Sequence, residues 1–219
     1  MRPGIIIYNK LKLAFIHVPK NAGLSVIHSI RTHSPRTSGT LGHYPMRNLS
    51  DSELSQLNAL KTFAVVRNPW SRLVSGYCFL RQGGINRKDK LRKILLTPLL
   101  RLEFNKFVRY SSRILLVKGY FEPLYERNSY YLWLLLHILP QSYWICSNSK
   151  RILVKRIIRF ESLQSEISQL MSENGIDNFI LSHRNKSINT DYQNWYTEES
   201  RNLVGEIYKS DIETFDYTF

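Results

Sequence analysis

The chain has 219 residues, 43% of them hydrophobic, 12% aromatic and 22% charged, with 31 Lys+Arg against 17 Asp+Glu and a formal net charge of +14. That length and composition exclude an unfolded chain and fit one globular domain over residues 1–219, large enough to bury a substantial core. The positive balance points to an acidic partner (nucleotide, polyanionic glycan, nucleic acid or anionic membrane) without choosing among them. Cys78 and Cys146 lie far apart without metal-ligand spacing, which argues against a disulfide scaffold and against a zinc site. The longest strongly apolar run, Tyr130 to Leu139, falls short of the roughly 20 residues a membrane span needs. Ile5 to Ile7 is only a short apolar patch, not a signal-peptide pattern. A soluble cytoplasmic protein with no transmembrane segment is expected, a membrane-peripheral position staying open.

In chain order, Ile5 to Tyr8 reads as a strand that pairs with Lys12 to Val18 through a turn at Asn9-Lys10. Leu13, Ala14, Phe15, Ile16 and Val18 form the apolar run of a strand covered on both faces. Pro19 stops the ladder, and Lys20-Asn21-Ala22-Gly23 is a small-residue turn. Gly23 is expected to supply unusual backbone angles and close approach of a ligand to the main chain. A helix follows from about Leu24 to Thr32, with Val26, Ile27 and Ile30 on one face. A strand feeding a loop into a helix N-terminus presents unpaired N–H groups in one direction, and Lys20 adds a full charge. The functional reading is an oxyanion site; the plain alternative is an ordinary turn with a surface lysine. Lysine precedes glycine here, the reverse of the Walker A order, which disfavours a standard P-loop kinase or GTPase.

Thr32 to Pro45 reads as loop and carries His33 and His43. Ser50-Asp51-Ser52-Glu53 is a capping-box pattern that starts a short helix to about Leu60. Thr62 to Val66 is a second apolar strand, ended by Arg67-Asn68-Pro69, and Pro69 suits the first turn of a helix. That helix carries Trp70, Leu73, Val74, Tyr77 and Leu80 and stops near Gly83-Gly84. The strand–turn–helix unit thus occurs twice, each time with a basic residue at the turn, which implies an α/β fold: a central parallel β-sheet flanked by helices, ligands gathering at the carboxyl ends of its strands. Asn86 to Lys118 is strongly basic with interleaved apolar residues. It reads as helices with one buried face, and either as a solvated surface or as a docking surface for an acidic acceptor. Tyr120 to Ile145 is aromatic and apolar with a turn at Pro140-Gln141-Ser142. Ile152 to Phe160 reads as a third strand, followed by a helix from Ser162 to about Asn174 that Gly175 ends. Ser182 to Asn194 is loop-like, and Thr197 caps a last amphipathic helix carrying Leu203, Val204, Ile207 and Tyr208.

Three segments in this order carry a resemblance: His-Val-Pro-Lys-Asn-Ala-Gly-Leu-Ser at 17–25, Val-Val-Arg-Asn-Pro-Trp-Ser-Arg-Leu-Val-Ser-Gly-Tyr at 65–77, and His-Arg-Asn-Lys-Ser at 183–187 with the downstream Tyr192, Tyr196 and Phe215-Asp216-Tyr217. Together they resemble the carbohydrate sulfotransferases, of the Golgi type, that use 3′-phosphoadenosine 5′-phosphosulfate (PAPS) and leave adenosine 3′,5′-bisphosphate. The resemblance implies a P-loop-like sulfotransferase fold and transfer of a sulfuryl group to a hydroxyl of a glycan or other acceptor, an acidic one fitting the basic middle segment. It assigns the 5′-phosphosulfate to Lys20 and the loop Asn21, Ala22, Gly23, Leu24 and Ser25, and the 3′-phosphate to Arg67 and Ser75. It makes His43 the general base, with His33 a weaker rival and His17 structural. Lys20 stabilises the departing phosphate, Phe160 lies either against adenine or in the core, and Arg184, Lys186 and Ser187 belong to a late loop that closes on the donor. Arg72 reads as making a structural ion pair. No metal is implied. Asn21 and Leu24 replace threonines usual in the family, and Ser71 replaces an aspartate. Two other readings remain at this point: a P-loop-like small-molecule kinase and a non-enzymatic basic nucleic-acid-binding module, the second leaving both phosphate turns unexplained.

Overall fold

Short apolar runs build a four-stranded sheet in the computed structural model, which describes residues 2–40, 42–84, 97–117, 130–182 and 191–219. Strands β1 (Ile5–Tyr8) and β2 (Leu13–Ile16) are buried along their whole length, and β3 (Lys61–Val66) exposes only its first residue. Successive side chains of a strand point to opposite faces, so such runs need cover on both. Strand β4 (Arg156–Arg159) is less buried and forms one edge of the order β1-β2-β3-β4. β1 runs antiparallel to β2, with Ile5 opposite Ile16. β2, β3 and β4 are mutually parallel, with Ile16 opposite Ala64 and Val66 opposite Arg159. The expected parallel sheet is therefore present, with an antiparallel hairpin added at one edge. That hairpin turns through a short 3₁₀ segment, Asn9–Leu11, with Lys12 in the left-handed region. The third expected strand is shorter than Ile152 to Phe160, because Ile152 bridges back to Cys146 and the strand pairing with β3 runs over Arg156–Arg159.

The chain divides into two compact units, residues 1–67 with 141–186 and residues 68–140 with 187–219. The first holds the sheet and helices α1 (Gly23–His33), α2 (Asp51–Asn58), α7 (Ser142–Ile145) and α8 (Leu163–Ser172), numbered in chain order. Val26, Ile27 and Ile30 of α1 and Ile167, Leu170 and Met171 of α8 close one core with Phe15, Phe63, Val65 and Ile158. The Phe15 and Phe63 rings sit 5.1 Å apart across β2 and β3. The capping box at α2 is complete: Ser50 accepts from the Glu53 amide, and Glu53 accepts from the Ser50 amide.

The second unit is helical, with α3 (Pro69–Gln82), α4 (Thr97–Leu100), α5 (Phe104–Val117), α6 (Tyr130–Ile138), α9 (Glu198–Ile207) and α10 (Lys209–Phe215). Gly83, at φ +88°, ends α3 in the left-handed conformation that suits glycine. The basic segment has the expected one-sided helix where it is described: Phe104, Phe107 and Val108 are buried, while Lys106, Arg109 and Arg113 are exposed. Arg109 forks onto Glu199 at 3.1 and 2.8 Å. Residues 86–96 and 118 of that segment lie outside the described residues. Arg72 is fully buried, donates to the Leu139 carbonyl at 2.8 Å and feels the buried Asp211 and Tyr208. Its burial holds the guanidinium below its ordinary range, and the two neighbours oppose that shift. The last amphipathic stretch breaks at Tyr208 into two helices rather than one. Among the described residues no helix is long and apolar enough to cross a membrane.

Candidate active site

At the carboxyl end of β2 the chain passes through His17, Val18 and Pro19 into the turn before α1. Two non-glycine residues there, Lys20 (φ +70°) and Ala22 (φ +56°), occupy the left-handed region. Each such residue costs of order 1–2 kcal/mol against the right-handed alternative. Left-handed residues alternating with ordinary ones turn successive N–H groups toward one side, the geometry of an anion-binding concavity. Ala22 is the N-cap of α1; it offers no side-chain oxygen, and no acidic residue occupies the first turn. The helix therefore opens onto its N-terminal side with its dipole unneutralised by any side chain of its first turn.

Gly23 does not supply the unusual backbone angles expected of it. It lacks the positive φ that Lys20 and Ala22 have. A Cβ at Gly23 would fall 2.0 Å from His17 Cδ2, so glycine makes room for the His17 ring at the start of α1. His17 in turn stacks on Phe15 at 5.9 Å and lies 4.3 Å from the His43 ring. Trp144 stands edge-on to His43 at 5.8 Å. His43 Nδ1 is 2.9 Å from the His17 carbonyl. A carbonyl only accepts, so Nδ1 carries the proton and Nε2 keeps the lone pair of the neutral ring.

At the carboxyl end of the neighbouring β3, Arg67 is 3% exposed and sets its guanidinium over the Phe160 ring at 4.1 Å. Phe160 also packs against the core of the first unit. Because β2 and β3 are adjacent and parallel, Lys20 and Arg67 stand at the same end of the sheet. Asn21, fully buried, joins the two turns: its Nδ2 donates to the Val65 carbonyl and to Gln141 Oε1, both at 2.7 Å. The departure from threonine at position 21 is thereby accounted for, since the side chain is turned into the protein. Its Oδ1 is buried with no hydrogen-bond partner among the described residues. Leu24 is half-buried and Ser25 is buried in the first turns of α1.

Ser75 lies in α3 of the second unit and is 8% exposed. Arg184, Lys186 and Ser187 lie outside the described residues. His33, the weaker candidate base, contacts Thr32, the Ser29 carbonyl and the Phe179 ring. Sequence reasoning missed Gln141, taken only as part of a turn. The available signal was a lone amide side chain beside a strongly apolar stretch, since a buried amide must find partners.

The fold is an α/β one with a mostly parallel sheet, and a basic residue follows each of two neighbouring strands, at the end of the sheet where such folds bind ligands. The model of the sulfotransferase family matches residues 3–218, and the chain belongs to that family. It is thus an enzyme that moves a sulfuryl group from a sulfonate donor to an acceptor. Neither a curated protein nor a solved structure matches it.

Proposed function

We propose that the chain transfers a sulfuryl group from PAPS to a hydroxyl of a carbohydrate, with His43 as general base, as a single functional domain in the cytoplasm. The observation that carries this reading is the pairing of an uncapped helix start beside Lys20 with a buried Arg67, at the same end of two adjacent parallel strands. The donor set fits a ligand with two separated anionic groups. The turn at 20–25 suits the 5′ end through N–H groups and one ammonium. Arg67 suits the 3′-phosphate, because a guanidinium offers two parallel N–H donors to phosphate oxygens. Ser75, Arg184, Lys186 and Ser187 are assigned to the donor on the resemblance alone, and Phe160 acts by supporting Arg67 rather than by meeting adenine.

The donor supplies an activated sulfuryl group on a phosphate leaving group. His43 Nε2 takes the proton of the acceptor hydroxyl as that oxygen bonds to sulfur. Lys20 and the first N–H groups of α1 face the phosphate oxygen that gains charge as its bond to sulfur breaks. Fixed donors aimed at developing charge are worth about 3–4 kcal/mol each in comparable sites. An acidic glycan suits the exposed cations of α5. Incubation with radiolabelled PAPS and a panel of neutral and acidic glycans tests the reading: label should appear in a glycan. Label transferred to none of them, or phosphate transferred from ATP instead, would overturn it.

A further inference from the structure

β2 ends before β3 does. Their last pair is Ile16 with Ala64, yet β3 continues to Val66 and the chain to Arg67. Residues two apart in a strand turn their main-chain groups the same way, so Val65 and Arg67 share one side. Two side-chain amides serve those groups in place of a strand. Asn21 takes the Val65 carbonyl. Gln141 takes both groups of Arg67: Oε1 accepts from the Arg67 amide at 2.8 Å, and Nε2 donates to the Arg67 carbonyl at 2.8 Å. Oε1 also accepts from Asn21 Nδ2 at 2.7 Å, so both its lone pairs are used. The orientation of the amide is fixed by this pattern, because the flipped group would oppose donors to donors. Gln141 is fully buried and is the residue at which the chain re-enters the first unit, having left it after Arg67.

We infer that Gln141 is a positioning residue: its amide acts as one added rung of the sheet that fixes the backbone of Arg67, and with it the distance between the Arg67 guanidinium and the turn at 20–25. Phe160 holds the guanidinium from its face, and Gln141 holds the same residue at its main chain. The consequence is specificity for a donor that carries a 3′-phosphate, rather than affinity for nucleotides in general. The inference rests on the reading of Arg67 as the 3′-phosphate ligand.

The test is calorimetric titration of the wild type, Gln141→Met and Gln141→Glu with adenosine 3′,5′-bisphosphate and with 5′-AMP. The wild type should prefer the bisphosphate; absence of that preference would sink the reading of Arg67 itself. Given the preference, Gln141→Met, which fills the space without hydrogen bonds, should lose about tenfold or more of it, as small misplacements of a ligand do. Affinity for 5′-AMP should change far less. Gln141→Glu keeps both accepted bonds and loses the donated one, so its preference should fall between the two. An equal loss for both nucleotides would mark Gln141 as merely structural and overturn the inference, as would an unchanged preference. If Gln141→Met does not fold, the ratio measured on Gln141→Glu decides: a fall supports the rung, no fall refutes it.

Discussion

The two strand-to-helix crossings look alike in sequence and differ in how they spend their N–H groups. At the second, Asn68 caps α3: its Oδ1 accepts from the Trp70 and Ser71 amides at 3.1 and 3.2 Å, and Pro69 occupies the first turn. At the first, α1 starts at Gly23 with no side-chain cap, behind the left-handed Lys20 and Ala22. A capped helix start has its donors engaged and offers an anion only what a side chain can reach, and the residue before this cap is Arg67. An uncapped start offers the main chain itself. The two crossings thus present two kinds of donor, main-chain N–H groups at the first and a side chain at the second.

Variants sharpen this contrast. The largest effect is expected at His43, whose ring is held against the first crossing: His43→Ala should lower kcat by about 10²–10⁴ while binding of the bisphosphate persists. A transfer assay beside a binding titration checks it, and surviving transfer would mean another base. Lys20→Ala removes the one full charge of the open crossing and should lower kcat by about 10²–10³. At the closed crossing, Asn68→Ala removes a cap and should cost about 1–2 kcal/mol in urea unfolding without changing affinity for the bisphosphate. Loss of affinity there would break the comparison. The smallest effect is expected away from both crossings. The Ser50 amide, with Arg2, holds the Glu53 carboxyl below its ordinary range. A depressed carboxylate stabilises the fold above its unfolded pKa, and that contribution fades as pH falls through the folded value. Glu53→Gln should therefore lower Tm slightly at neutral pH and leave it unchanged in strong acid.

Local signals carried much of the fold. The apolar runs of β2 and β3, the capping box at Ser50, the cap at Thr197 and the stop at Gly83 each depend on residues within a few positions, so pattern exposes them. Lys20 and Arg67 stood out in the same way, as basic residues at turns that follow apolar strands, whereas His43 was singled out by the resemblance alone. The ties among them were not. Gln141 meets Arg67 and Asn21 across 74 and 120 positions, and nothing local in Pro-Gln-Ser announces those partners. Nor does sequence show that Gly23 is small for the sake of the His17 ring, or that the left-handed angles fall on Lys20 and Ala22. The register of β4 escaped because Ile152 alternates like a strand residue yet pairs with Cys146.

The most direct measurement is the thermal stability of the wild-type protein with adenosine 3′,5′-bisphosphate, with ATP and with neither. A ligand present at about 100 times its Kd stabilises the folded state by about 2.7 kcal/mol. The bisphosphate should raise Tm clearly, and ATP, lacking the 3′-phosphate, much less. A Tm that does not move with the bisphosphate, or moves as far with ATP, would contradict the two-crossing account.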